Sequence, residues 1–162
     1  MDRKKLLRLL AENARMTETE MAEQLGEKAS AVRAAIRKLE EEKTIIGYRA
    51  VFDETLLPEH AVKALIEVKV RPEREGGFDK IARRLSRFPQ VSGLYLMSGG
   101  FDLLVEVQGK NLNDVAMFVS RKLATQDGVL STATHFLLKK YKESGKLMQE
   151  DEKDDDRLNI TM

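Results

Sequence analysis

Along the first fifty positions, apolar residues recur at helical spacing. Leu6, Leu7 and Leu10 share a face behind Asp2, whose carboxylate suits a helix N-cap, and this predicts a helix ending near Asn13. Thr17-Glu18-Thr19-Glu20 has the form of a capping box, in which hydroxyl and carboxylate each satisfy a free amide of the first turn. The helix it opens turns Met21, Ala22 and Leu25 inward and stops at Gly26. Val32, Ile36 and Leu39, spaced i, i+4 and i+7, predict a third helix from about Lys28 to Glu42. Three short helices, the last pair joined through a glycine turn, amount to a helix-turn-helix unit. The β-prone run from Ile45 to Phe52 is expected to supply a wing and a connecting strand.

The pattern changes after Leu57-Pro58-Glu59-His60. Val62, Ala64, Ile66, Val68 and Val70 alternate with polar neighbours, which predicts a strand with one buried face, ended by Pro72. Phe78, Ile81, Ala82, Leu85 and Phe88 form one helical stripe. Val91 to Met97 and Phe101 to Gln108 predict two strands joined through Ser98-Gly99-Gly100. Asn111 caps a helix with Leu112, Val115, Val119 and Leu123 inward, and Val129 to Leu138 is a last strand. The order β-α-β-β-α-β is that of ferredoxin-like folds, so the fold class is α+β. The expected organisation is a winged helix-turn-helix domain over 1–52, a linker over 53–61, a ferredoxin-like domain over 62–145 and an acidic, unfolded tail over 146–162.

Strict alternation over 91–97 puts Val91, Tyr95 and Met97 on one face and Leu94 and Leu96 on the other, so both faces are apolar. Leu65 interrupts the polar face of the first strand, and Leu130, Phe136 and Leu138 crowd one face of the last. Helices cover one side of such a sheet, and a second subunit is the simplest cover for the other. A homodimer or larger even-numbered oligomer is expected.

Composition narrows the function. The 162 residues are 42% hydrophobic and 34% charged, enough apolar content for a core. No Cys is present, which excludes disulfides, thiolate metal sites and a cysteine nucleophile. The two His, His60 and His135, are far apart, so no imidazole-based metal site is expected, and no cofactor. Asp2-Arg3-Lys4-Lys5 and the Arg8 that interrupts Leu6 to Leu10 do not read as a secretory leader, and no apolar run reaches the roughly 20 residues of a membrane span. A cytoplasmic protein without membrane contact is expected. The formal charge of +1 hides a segregation: Glu150 to Arg157 holds six acids and two bases, a net of −4, which leaves +5 on the rest.

The basic excess matters on the third helix. From Lys28 through Lys38 there are four bases and no acid. Ser30, Arg33, Ala34, Arg37 and Lys38 point away from Val32, Ile36 and Leu39, and small Ser30, Ala31 and Ala34 let the backbone approach a wall closely. Such a helix suits the major groove of double-stranded DNA, with its first residues at base edges and its cations on phosphates. A merely solvated basic face, with Lys38 and Arg37 paired to Glu42 and Glu41, accounts for the end of the run but not for its acid-free start. Arg15, Lys43 and Arg49 are additional candidate phosphate contacts. At Ser98-Gly99-Gly100-Phe101-Asp102, a glycine corner exposes amides suited to a carboxylate while Asp102 suits an ammonium, the two needs of a free amino acid; Thr132 and Thr134 add hydroxyls. No Ser–His–Asp grouping, phosphate loop or paired-carboxylate motif stands out, so no catalytic residue is assigned.

The run Asp2 to Arg15, Leu25-Gly26, Val32 with Ile36 and Leu39-Glu40, then Ile45 and Gly47-Tyr48, resembles the winged helix of Lrp/AsnC transcription regulators. Val91 through Ser98-Gly99-Gly100-Phe101-Asp102-Leu103, followed by Gly128-Val129 to Thr132 and Thr134, resembles their effector-binding RAM domain. The resemblance spans about residues 1–143. It implies a dimer that assembles into an octamer or similar ring, binds promoter DNA, and takes an effector, often an amino acid, between RAM domains of neighbouring dimers. Lys28 stands where such proteins usually carry a capping Ser, Ala35 where they carry Arg, and Lys43 where they favour Gly. Two other readings share the architecture: a sirohaem-decarboxylase-like enzyme, and an architectural DNA-binding protein without an effector.

Overall fold

The computed structural model describes residues 1–72 and 76–148, and the chain divides into two compact units, Met1–Ala50 and Val51–Met162. In the first unit, α1 (Arg3–Glu12) starts where the Asp2 carboxylate accepts from the amides of Lys4 and Lys5. Helix α2 (Glu18–Leu25) opens on the full capping box: Glu20 N–H donates to Thr17 Oγ1, and Thr17 N–H donates to Glu20 Oε2 at 2.7 Å. Gly26 ends it in the left-handed region at φ 67°, which frees the chain to turn directly into α3 (Ala29–Glu41). Leu6, Met21, Ala22, Val32 and Leu39 form the buried core, with Ile36 and Leu25 packed against it.

Helix α3 closes with a Schellman motif, in which Lys43 N–H donates to Glu40 O and Thr44 N–H to Leu39 O. Lys43 occupies the left-handed position of that motif at φ 58°. Beyond it the structure departs from expectation, because residues 46–53 form no wing strand. Ile46 is 92% exposed, and Tyr48, Val51 and Phe52 are exposed as well. β-propensity without a neighbouring strand to complete the ladder does not make a strand. Tyr48 instead donates its hydroxyl to Glu40 Oε1 at 2.9 Å, and partial desolvation of the hydroxyl and that carboxylate together push the phenol above its ordinary pKa.

In the second unit, short 3-10 turns at Glu54–Leu56 and Pro58–His60 precede β1 (Val62–Val70), α4 (Asp79–Leu85), β2 (Val91–Leu96), β3 (Leu103–Gly109), α5 (Leu112–Phe118), a wider π turn (Val119–Leu123) and β4 (Val129–Phe136). The sheet is antiparallel in the order β2-β3-β1-β4, the ferredoxin-like arrangement. Ala64, Ile66, Val68 and Val70 of β1 face the helices together with Leu103, Val105 and Val107 of β3, and meet Ile81 and Leu85 from α4 and Val115 and Phe118 from α5. Phe88 packs edge-on against Phe118 at 5.5 Å.

Two details revise the sequence reading. In β2, Val91 pairs with Val107 but Gly93 pairs with Glu106, so Ser92 is an extra residue. Val91 therefore shares the helix-facing side with Leu94 and Leu96, not with Tyr95 and Met97. The ordered chain also runs beyond 145. Lys142–Glu143 (β5) pairs with Lys146–Leu147 (β6) around Ser144 and Gly145, both at positive φ, the signature of a tight two-residue hairpin. The boundary drawn at 145/146 cuts this hairpin, and the acidic stretch 150–157 lies outside the described residues.

Candidate nucleic-acid interface

Helix α3 sorts its side chains by face. Val32 and Leu39 are buried, while Lys28, Ser30, Arg33, Ala34, Arg37 and Lys38 are all exposed. Positions 30, 33, 34, 37 and 38 fall on neighbouring turns of one side, so small residues sit at the start of the stripe and cations along its length. The Lys28 side chain makes no capping bond, as an ammonium has no acceptor to offer.

The cations of this face differ in their engagements. Lys38 lies 3.9 Å from Glu42, at the outer limit of an ion pair. Arg37, which a merely solvated basic face would pair with Glu41, has no ion-pair partner among the described residues. Arg33 is the most committed: its Nε–H donates to Glu18 Oε2 at 2.8 Å, and Nη2 stands 2.6 Å from the same oxygen. The Arg33 hydrogen bond and charge hold the Glu18 carboxyl below its ordinary pKa, and Glu18 in turn raises the guanidinium's. Sequence reading took Glu18 only as part of the α2 capping segment. The acid-free run of α3 concealed it because the partner comes from another helix, fifteen residues earlier. Arg15 is exposed on the connection after α1, and Arg49 is exposed in the extended segment where a wing was expected.

The corner of the second unit has a different character. Ser98, Gly99 and Gly100 are exposed between β2 and β3. Gly99 needs its residue type for φ 142°, whereas Gly100 has no positive φ and, among the described residues, no atom within 4 Å of where a Cβ would stand. Asp102 is half-buried and structurally employed. Its Oδ2 accepts from Val70 N–H at 2.9 Å, its N–H donates to Val68 O, and its carbonyl accepts from Met97 N–H. It thereby ties the ends of β1, β2 and β3. Thr132 and Thr134 are half-buried on β4 opposite Val68 and Ile66, so β1 stands between them and the corner, a span of roughly 10 Å at the usual strand spacing.

A cavity of about 340 Å³ lies elsewhere in this unit, lined by Asp53, Glu54, His60, Lys63, Leu137, Lys140 and Met148 among others. Lys140, 15% exposed, bridges Glu54 and Glu143 there. A pair separated by 86 residues leaves no local signal, and sequence reading missed it. None of the six corner and β4 residues lines this cavity. The imidazoles are engaged by protein groups, His60 Nδ1 at 2.8 Å from Gln108 Oε1 and His135 Nε2 at 3.2 Å from Glu67. Among the described residues, no group of three His, Cys, Asp or Glu is placed to hold a metal ion, and no helix is long and apolar enough to cross a membrane.

Comparison with known proteins matches residues 3–46 to the winged helix-turn-helix DNA-binding family and residues 63–147 to the Lrp/AsnC ligand binding domain. The uncharacterized HTH-type transcriptional regulator YugG of Bacillus subtilis is 45% identical over 157 residues, covering 96% of this chain and 94% of its own. HTH-type transcriptional regulator LrpA of Pyrococcus horikoshii is 31% identical over 137 residues, covering 85% and 94%. Among solved structures, a Neisseria meningitidis transcriptional regulator in complex with L-Met superposes with a TM-score of 0.70 at 24% identity, covering 88% of this chain and 93% of that one. These relatives carry regulator names and a helix-turn-helix unit, which sets aside the sirohaem-decarboxylase reading.

Proposed function

The chain belongs to the Lrp/AsnC family of DNA-binding transcription regulators, which are not enzymes, and from that premise we propose that α3 reads a specific duplex sequence while the RAM unit gates binding through an amino-acid effector. The observation that carries the first half is the exposed ridge of Ser30, Arg33, Ala34, Arg37 and Lys38 opposite buried Val32 and Leu39. Ser30 and Ala34 face base edges, Arg33 and Arg37 supply guanidinium contacts, and Lys28, Lys38, Arg15 and Arg49 lie against phosphates. In a dimer the two α3 helices enter successive major grooves, about 34 Å apart for one helical turn.

The effector is assigned to the corner at Ser98, Gly99 and Gly100, with Asp102 for the ammonium and Thr132 and Thr134 as polar lining. Gly100 supports this, since nothing among the described residues requires a glycine there. Thr132 and Thr134 sit across β1 from the corner, so the two sets belong to one site only where the corner of one subunit meets β4 of another. The sheet face away from the helices offers the surface for a homodimer: it carries Tyr95, Leu65 and Leu104 beside the Lys63–Glu106 pair, and Tyr95 is 48% exposed. Dimers then assemble into an octamer or similar even-numbered ring, in the cytoplasm, and effector binding shifts the population of assemblies and with it the spacing of the α3 helices.

A thermal-shift screen of the full chain with the twenty amino acids tests the effector. A ligand that prefers the native state raises the melting temperature through RT ln(1+[L]/Kd). A shift for one or a few amino acids, accompanied by altered duplex affinity in gel shifts, is the expected result. No shift from any of them, with duplex binding unchanged, would leave an effector-independent architectural protein.

A further inference from the structure

Arg33 leaves α3 on the face turned to the groove, yet its guanidinium is already held. Nε–H and Nη2 both engage Glu18 Oε2, at 2.8 and 2.6 Å. A guanidinium carries five N–H donors in one plane, and this contact occupies the Nε edge. The Nη1–Nη2 tip is left over, and that edge makes the two parallel bonds to O6 and N7 of guanine. Glu18 is itself well placed, as the first residue of α2, inside the capping box that Thr17 and Glu20 close. The carboxylate has a second effect, since it cancels the charge with which Arg33 would otherwise seek a phosphate. Arg37, one turn on and without an ion-pair partner among the described residues, has no such restraint.

We propose that Glu18 is a specificity-determining positioning residue: by holding the Nε edge of Arg33 it aims the guanidinium tip at a guanine edge in the major groove and withholds Arg33 from the phosphates. This rests on the reading that α3 enters the groove. It divides the ridge into a reader, Arg33, and an anchor, Arg37. An arginine pre-set in one orientation loses less rotamer freedom on binding and tolerates fewer alternatives at the base it meets.

The full chain and its Glu18→Gln, Arg33→Lys and Arg33→Ala variants are each put through selection from a randomised duplex pool, then competition and salt titration on the recovered sequence. The parent should prefer guanine at one position of each half-site. Glu18→Gln should lose about tenfold of the discrimination at that position, within the range of one bidentate base contact. Its binding to non-cognate duplex should rise, and its salt slope should steepen by about 0.9, as a released Arg33 takes up one phosphate. Arg33→Lys, which leaves α2 untouched, should lose the same base preference. Glu18→Gln combined with Arg33→Ala should discriminate no worse than Arg33→Ala alone, because Glu18 acts only through Arg33. A Glu18→Gln protein with the parental preference and salt slope overturns the proposal while leaving groove binding intact. A parent chain that recovers no duplex overturns both and places the fault in the groove reading.

Discussion

Lys43→Gly should stabilise the helix-turn-helix unit, although it removes a side chain and shortens nothing. Lys43 sits at φ 58°, where its Cβ crowds the following carbonyl, a cost of about 1–2 kcal/mol for a residue other than glycine. Against that, glycine adds about 0.4–1 kcal/mol of conformational freedom to the unfolded chain. The difference leaves a net gain of about 0.5–1 kcal/mol. The gain should be read locally, because Thr44 N–H and Ile45 N–H both donate to Leu39 O, at 2.9 and 3.0 Å, and open when the Schellman turn opens. Amide hydrogen exchange at these two positions should slow by roughly two- to fivefold in Lys43→Gly, at about 1.4 kcal/mol per tenfold. Lys43→Ala is the control for charge: it keeps the Cβ and the strain, so its exchange should stay near the parent's. Equal slowing in both variants, or faster exchange in Lys43→Gly, would refute the argument from backbone conformation.

Asp102→Ala should cost the RAM unit about 1–3 kcal/mol in urea unfolding, because it strands the amide of Val70, a residue only 3% exposed; Asp102→Asn keeps an acceptor and should cost clearly less, and equal losses would remove the strand-tying role. Arg37→Ala should weaken binding to all duplexes alike and reduce the salt slope by about 0.9, so a change in base preference instead would count against its role as an anchor. Glu18 and Glu20 should titrate below the ordinary value of 4.5 by carboxyl NMR, held down by Arg33 and by the Thr17 amide respectively. A depressed folded-state pKa stabilises above the unfolded value and is lost as pH falls through the folded one, so their contribution should fade only below about pH 4.5, and Arg33→Ala should return Glu18, not Glu20, toward normal. Leu39→Ala, at a fully packed site in the core of the first unit, should cost about 2–5 kcal/mol by calorimetry.

The features that sequence reading found are those whose physics is confined to a few neighbouring residues. Thr17 and Glu20 satisfy each other's amides within one turn, and the alternation of Val62 to Val70 carries its own buried face, so both were legible without tertiary information. The wing was not, since Ile45 to Phe52 has strand chemistry but no paired neighbour to express it. The Lys142–Leu147 hairpin was missed because two-residue strands carry no periodicity, leaving only Ser144-Gly145 as a signal. Of the candidate site, the α3 ridge followed from helical spacing alone. The engagement of Arg33 by Glu18 and of Asp102 by Val70 N–H did not, because each joins elements that only the fold brings together.

The extra residue in β2 has a consequence for anyone scanning this segment by mutagenesis. Because Ser92 is inserted between the Val91–Val107 and Gly93–Glu106 pairs without a partner of its own, tolerance to charged substitutions should not follow odd and even positions through 91–97. Val91 and Leu94, three apart, should be intolerant together, with Ser92 and Gly93 between them answering to other constraints. A profile plotted on simple parity would show noise where the polypeptide has merely skipped a beat.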